Sequence, residues 1–170
     1  MNKKCVELLN SSNMTIATAE SCTGGLIGKM ITDVSGASAV YNMGFITYSN
    51  EAKTKLLGVP ADVIIKHGAV SKETVVFMAK GARDNADSDI GIAVSGIAGP
   101  NSDGTEKPVG LVYIGFSAKE GNFYLKCLFD KKLGRDGIRK ATANKAFEII
   151  VSYLTDCEHF VKNMKFLNFD

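Results

Sequence analysis

The chain has 170 residues, enough for one domain with a substantial core. Hydrophobic residues make up 45%, charged residues 22%, and the formal net charge is +2, too small a charge to call for a nucleic-acid or membrane-surface partner. No run approaches the roughly 18 apolar residues of a spanning helix, and no long apolar stretch follows Lys3 and Lys4, so no secretory signal is expected and the expected location is cytoplasmic.

Taken in order, residues 3–12 place Val6, Leu8 and Leu9 on a short amphipathic helix that Ser11-Ser12-Asn13 ends. Met14 to Ala19 reads as the first strand. Thr23 to Val34 reads as the next helix, entered through Gly24 and Gly25. Val40 to Tyr48 is rich in aromatic and β-branched residues and predicts a second strand. Ser49 or Asn50 can cap a helix through Leu57, with Gly58 at its end. A shorter helical piece runs from Pro60 to His67-Gly68, and a longer helix from Ser71 to about Asn85.

Ile90 to Val94 is an almost unbroken apolar run, the pattern of a central strand. Ser95 to Pro100 is a second glycine-rich turn, and Asn101 to Pro108 a polar loop. Leu111 to Ala118 and Asn122 to Phe129 flank Lys119-Glu120-Gly121 as a hairpin. Ile138, Ala141, Ala146, Ile149, Ile150 and Tyr153 recur at helical spacing on a long helix from Gly134 to Leu154. The alternation predicts an α/β protein, a three-layer α/β/α sandwich on a mixed, mostly parallel sheet. Residues 1–157 form the expected domain, and 158–170 a C-terminal extension.

Both glycine-rich turns follow apolar strands, and open α/β sheets bind ligands outside the carboxyl ends of their strands. If the strands carrying Ala19 and Val94 are parallel neighbours, Ser21 to Gly25 and Ser95 to Gly99 face one crevice. Neither turn is a GxGxxG or Walker A loop, and the glycines equally read as residues that only permit tight turns. The first turn carries Ser21, Cys22 and Thr23, with Ser21 the best candidate nucleophile.

Histidine is a poor partner for Ser21: His67 sits in a turn-like His-Gly pair and His159 in the tail. A desolvated lysine can serve as base. Lys53 opens the helix after the second strand, and Tyr48 closes that strand. Their plainer readings are a surface lysine and a half-buried strand-end aromatic. Cys22 has no basic neighbour in sequence and reads as packing. Arg135 and Arg139, with Lys131 and Lys132, form either an anion clamp or a solvated face paired with Asp136. The four cysteines and two histidines lack the spacing of a metal or redox site, so neither metal nor cofactor is expected.

Five blocks in order carry a family resemblance: Thr18-Ala19-Glu20-Ser21-Cys22-Thr23-Gly24-Gly25, Gly44 to Lys53, His67-Gly68-Ala69-Val70-Ser71, Val94 to Pro100, and Lys107-Pro108-Val109-Gly110. Over roughly residues 5–155 the chain resembles the CinA C-terminal domain family, the nicotinamide-nucleotide amidases also called competence- or damage-inducible. The resemblance implies a serine amidohydrolase that converts nicotinamide mononucleotide to nicotinic acid mononucleotide and ammonia, in pyridine-nucleotide salvage. Ser21 matches the nucleophile, and Lys53 and Tyr48 the residues that activate it, Lys53 acting directly or relayed through Tyr48.

Turn N–H groups near Thr23, Gly24 and Gly25, or near Ser95 and Gly96, would hold the oxyanion. Thr105, Arg135 and Arg139 are the candidates for the substrate phosphate. The family's Gly-Asp-Arg before the last helix is Leu133-Gly134-Arg135 here, so the arginine is kept and the acid absent. The larger N-terminal domain of some relatives falls outside the resemblance, and its second activity is not carried over. The expected partners are a small nucleotide substrate and a second copy of the chain in a homodimer, with no nucleic acid or membrane. The competing reading is a nucleotide-binding or regulatory module of the same fold without turnover.

Overall fold

The structure is a computed structural model that describes residues 1–102 and 104–167. Asp103 and the last three residues of the expected extension, 168–170, lie outside the described residues. In chain order the elements are α1 (Asn2–Ser11), β1 (Ile16–Glu20), α2 (Leu26–Thr32), β2 (Tyr41–Ile46), α3 (Asn50–Leu57), α4 (Ala61–His67), α5 (Lys72–Asn85), β3 (Ile90–Gly96), β4 (Leu111–Ala118), β5 (Gly121–Leu128), α6 (Gly134–Thr155), α7 (Cys157–Asn163) and β6 (Lys165–Phe166). Two short 3-10 turns, Ala37–Ala39 and Lys131–Leu133, precede β2 and α6.

Local chemistry explains most boundaries. The Ser49 hydroxyl accepts from the Ala52 amide (3.1 Å) and starts α3, which Gly58 ends at φ 66°. Ser71 caps α5 in the same way, through the Thr74 amide at 3.2 Å. The second helix is shorter than the periodicity predicts. Residues 22–25 form turns, with Gly24 at φ 58° and Gly25 at φ 93°, and helical geometry begins only at Leu26.

The six strands lie in the order β2-β1-β3-β4-β5-β6. β1 pairs in parallel with β2 and β3, while β3/β4, β4/β5 and β5/β6 are antiparallel. The expectation of a mostly parallel sheet is therefore corrected: antiparallel pairings predominate. A parallel return needs a crossover, usually a helix. The described residues between β3 and β4 contain none, and β4 folds back beside β3. The tail then adds a short third antiparallel partner.

Alternate residues of the sheet feed two apolar clusters, one on each face. Ile90, Ile92 and Val94 join Val6, Ile27, Phe147 and Ile150 of α1, α2 and α6. Ala17, Ala19 and Ala93 meet Leu57, Val75, Met78 and Ala79 of α3 and α5. The second face is built for close approach. A Cβ on Gly91 would stand 2.0 Å from the Ala79 carbonyl, and one on Gly115 would stand 2.3 Å from that of Val75. Alanine and glycine therefore line the sheet under α5.

The segment after α6 packs on the domain. Phe160 of α7 is 2% exposed, and its ring centroid lies 4.8 Å from Phe116, 5.3 Å from Phe123 and 5.4 Å from Tyr153. Among the described residues no helix is long and apolar enough to cross a membrane.

Candidate active site

The strands carrying Ala19 and Val94 are parallel neighbours. Glu20 pairs with Val94 of β3 on one side and Ile46 of β2 on the other. The chain leaving β1 at Ser21, the chain leaving β2 at Thr47 and the end of β3 therefore meet at one edge of the sheet. Ser21, Tyr48, Lys53, Val70, Gly96 and Arg135 line a cleft there of about 210 Å³. A second hollow of about 470 Å³, lined by Pro100, Val109, Lys131 and again Arg135, adjoins it.

Lys53 is the chemical centre of the cleft. It projects from the first turn of α3 and is only 1% exposed. Its Nζ donates to Ser21 Oγ at 3.2 Å, to the Thr47 carbonyl at 2.8 Å and, more distantly, to the Tyr48 carbonyl at 3.5 Å. None of the three acceptors carries a full charge. Burial pulls the lysine below its usual pKa, and the neighbouring Cys22 sulfur only partly opposes this. In the neutral amine two N–H groups can stay on the two carbonyls, which leaves the lone pair for the serine. The Thr47 hydroxyl beside this network is buried and has no hydrogen-bond partner among the described residues.

Ser21 is half-buried and donates its own amide to the Val94 carbonyl at 3.1 Å. Cys22, its neighbour, is a poor rival. Burial pushes its thiol up to about 12, so it stays protonated and weakly nucleophilic near neutrality.

The turn after Ser21 is organised by Glu20, which the sequence reading leaves without a role. This carboxylate is 1% exposed. Oε2 accepts from the Thr23 hydroxyl (2.6 Å) and the amides of Gly25 (3.0 Å) and Ile27 (3.1 Å), and Oε1 accepts from the amide of Gly28 (2.8 Å). The N-terminal end of α2 is thus filled by an internal anion. The available signal was an acid ending an apolar strand just before Ser-Cys-Thr-Gly-Gly at a helix start.

The amides of Gly24 and Gly25 are also engaged, with the Ser21 carbonyl and Glu20. Those of Cys22 and Thr23 donate to no other residue among the described residues; Cys22 lines the cleft, and Thr23 is fully buried. Gly25 lies against β2, where a Cβ would stand 3.0 Å from Ile46 Cδ1.

The other expected site residues fall in different places. Tyr48 is 62% exposed at the mouth, and its hydroxyl accepts from Arg135 Nη2 at 3.1 Å. The carbonyl of Tyr48, not its phenol, meets Lys53. Arg135 also donates to the Gly99 carbonyl at 2.7 Å. Arg139, one turn on, donates to the Thr23 carbonyl at 2.6 Å and so ties α6 to the turn after Ser21. Asp136 pairs with Lys140 (2.7 Å), and the two arginines reach backbone carbonyls and the Tyr48 hydroxyl instead.

The Ser95 hydroxyl is spent on the Ala69 carbonyl (2.7 Å), which holds the 67–71 segment against β3. Lys107 anchors the same segment from the other side, donating to the carbonyls of Val70 (2.7 Å) and His67 (3.3 Å). Gly96 has no room for a side chain: a Cβ would stand 2.6 Å from Val112 Cγ2. Thr105 is exposed, between β3 and β4, and its hydroxyl accepts from the Lys107 amide at 3.2 Å. Among the described residues no group of three or more His, Cys, Asp or Glu is gathered to hold a metal.

Comparison with known proteins supplies the family. The model of the CinA C-terminal domain matches residues 1–154. A protein named as a competence-damage inducible protein, from Caldanaerobacter subterraneus subsp. tengcongensis, is 49% identical over 154 residues, 91% of this chain and 37% of the relative. A CinA-like protein of Geobacter sulfurreducens is 48% identical over 83% of this chain and 34% of its own length. The chain thus spans little more than a third of these relatives. Among solved structures, the competence/damage inducible protein CihA of Agrobacterium tumefaciens superposes with a TM-score of 0.81 at 38% identity, covering 88% of this chain and 94% of that one. A CinA superfamily protein of Klebsiella pneumoniae 700603 gives a TM-score of 0.86 at 28% identity, covering 90% and 94%. With its serine and buried lysine at the end of the parallel strands, the chain belongs to the CinA C-terminal domain family.

Proposed function

We propose that the chain is a serine amidohydrolase acting on the carboxamide of nicotinamide mononucleotide. The observation that carries the reading is Lys53 Nζ, buried, depressed in pKa and 3.2 Å from Ser21 Oγ. The family resemblance supplies the substrate, and the size of the cleft and its neighbouring hollow are compatible with a ligand that extends past Arg135.

In this mechanism neutral Lys53 takes the Ser21 proton as Oγ attacks the amide carbon. The C=O π pair moves onto oxygen, and the Cys22 amide, at the cleft wall, receives that oxyanion, a donor worth about 3 kcal/mol. The tetrahedral adduct collapses, the C–N bond breaks, and Lys53 returns its proton to the leaving nitrogen, which departs as ammonia. Water, deprotonated by the same lysine, attacks the ester. Ser21 is released and the product is nicotinic acid mononucleotide.

Lys53 reaches Ser21 without an intermediary, so no step passes through the Tyr48 hydroxyl. Tyr48 instead holds the lysine through its carbonyl and Arg135 through its phenol. Arg135, and Lys131 in the adjoining hollow, are the cations nearest to hand for a substrate phosphate.

Ammonia release from nicotinamide mononucleotide tests the proposal. The purified chain should release ammonia, and Ser21→Ala should abolish release while remaining folded. Release that survives in Ser21→Ala would sink the nucleophile assignment. Binding of the nucleotide without any release would favour the regulatory module instead.

A further inference from the structure

We propose that Glu20 is a positioning residue that sets the oxyanion-binding geometry of the turn after Ser21, acting through the Thr23 hydroxyl. The inference rests on the serine-amidase reading and assigns work to a residue that the reaction scheme does not use. Glu20 ends β1 immediately before the nucleophile and is 1% exposed. A carboxylate taken out of water needs donors, and its four contacts here are a hydroxyl and three amides, none of them a cation. The three amides open α2, so part of the role of Glu20 is to cap that helix.

The Thr23 hydroxyl is different, because it belongs to the turn itself. Thr23 is fully buried and is gripped twice: Glu20 Oε2 takes its hydroxyl at 2.6 Å, and Arg139 Nη2 holds its carbonyl at 2.6 Å. A buried anion and a cation thus bracket one residue of the turn. Two hydrogen bonds on opposite groups of Thr23 restrain the peptide planes on either side of it. One of those planes carries the Thr23 amide, and the plane before it carries the amide of Cys22. The Cys22 amide donates to no other residue among the described residues and Cys22 lines the cleft, whereas the amides of Ser21, Gly24 and Gly25 are engaged and Thr23 is buried away from the cleft. A donor stabilises an oxyanion only when it is aimed at the position where charge develops. Rotation of these planes would therefore lower the rate of bond formation and leave substrate binding largely alone. Glu20 touches no substrate. Its effect passes through Thr23.

Glu20→Gln also disturbs the cap of α2, so the decisive comparison is Thr23→Val against Thr23→Ser. Valine removes the hydroxyl with little change in volume, and serine keeps it. Four quantities are measured on each full chain: thermal unfolding, kcat and KM for ammonia release from nicotinamide mononucleotide, and the rate at which a fluorophosphonate labels Ser21. Labelling forms an O–P bond with loss of fluoride. Its phosphoryl oxygen takes the oxyanion position, whatever the natural substrate. Thr23→Val should lower both kcat and the labelling rate at least tenfold, with KM within threefold of the parent. Thr23→Ser should recover most of that loss, and Glu20→Gln should follow Thr23→Val in kcat and labelling. Equal losses in the valine and serine variants, a loss confined to KM, or an unchanged labelling rate in Thr23→Val would overturn the proposal. If the parent labels at Ser21 but releases no ammonia, the substrate reading fails, and the labelling rates still decide the role of Glu20.

Discussion

Replacing Lys53 with methionine separates its chemistry from its place in the fold. Lys53→Met keeps the length and most of the volume of the side chain and removes the ammonium. Two stability terms then oppose each other. The Thr47 carbonyl loses its 2.8 Å donor, and an orphaned buried acceptor costs about 1–3 kcal/mol. Against this, a buried charge whose acceptors are all neutral is removed, and exchanging buried charge for well-packed apolar groups ranges from neutral to stabilising by about 1–4 kcal/mol. The terms are similar in size, and about 1 kcal/mol moves Tm by roughly 2–4 °C in a chain of this length. Thermal unfolding of Lys53→Met should therefore lie within a few degrees of the parent. Ammonia release should fall at least 10²- to 10⁴-fold, the usual range for a lost general base. A variant that keeps more than a tenth of the activity would show that another group takes the proton. One that cannot fold would make Lys53 a structural keystone instead.

The same reasoning fixes a pH dependence. The active form of Lys53 is the neutral amine, and burial lowers its pKa. Activity should thus rise with pH through a midpoint below the ordinary lysine value of 10.5. Between the folded and unfolded pKa values the unfolded chain binds more protons, so stability should also rise with pH across that window. Below the folded pKa the full penalty of burying the ammonium is present. Lys53→Met should lose this slope, and denaturant titrations at several pH values measure it.

Two further outcomes are expected. Burial holds the Cys22 thiol at about 12, so iodoacetamide at pH 8 should leave ammonia release intact; inactivation in step with alkylation of Cys22 would contradict that environment. Phe160→Ala should destabilise the chain by about 3–5 kcal/mol in urea unfolding, because its ring fills the space between Phe116, Phe123 and Tyr153. A change below about 1 kcal/mol would mean that α7 contributes little to the core.

Some parts of the site were legible in the sequence because their signals are local. Ser21 stands at a strand-to-helix turn, and Ser49, Ser71 and Gly58 bound their helices by short-range hydrogen bonds or a left-handed backbone. The importance of Lys53 followed from the lack of a suitable histidine together with the family motif. The role of Glu20 was hidden because three of its four partners are backbone amides, which every residue type supplies. The spacing of Arg135 and Arg139 put them on one helical face, but their acceptors, the carbonyls of Gly99 and Thr23, come from 36 and 116 residues away.

By itself the sequence determined where strands and helices alternate, which glycines and capping residues punctuate them, and which serine stands at the strand-to-helix turn. These are properties of stretches a few residues long, governed by periodicity, backbone sterics and side-chain capping. Tertiary structure decided the rest. It turned the sheet largely antiparallel, because no helix among the described residues bridges β3 and β4. It brought Lys53 to Ser21 across 32 positions by pairing Glu20 with Ile46 in parallel register, and it removed that lysine from water. A lysine becomes a base only through such desolvation, and desolvation belongs to the packed chain, not to the residue.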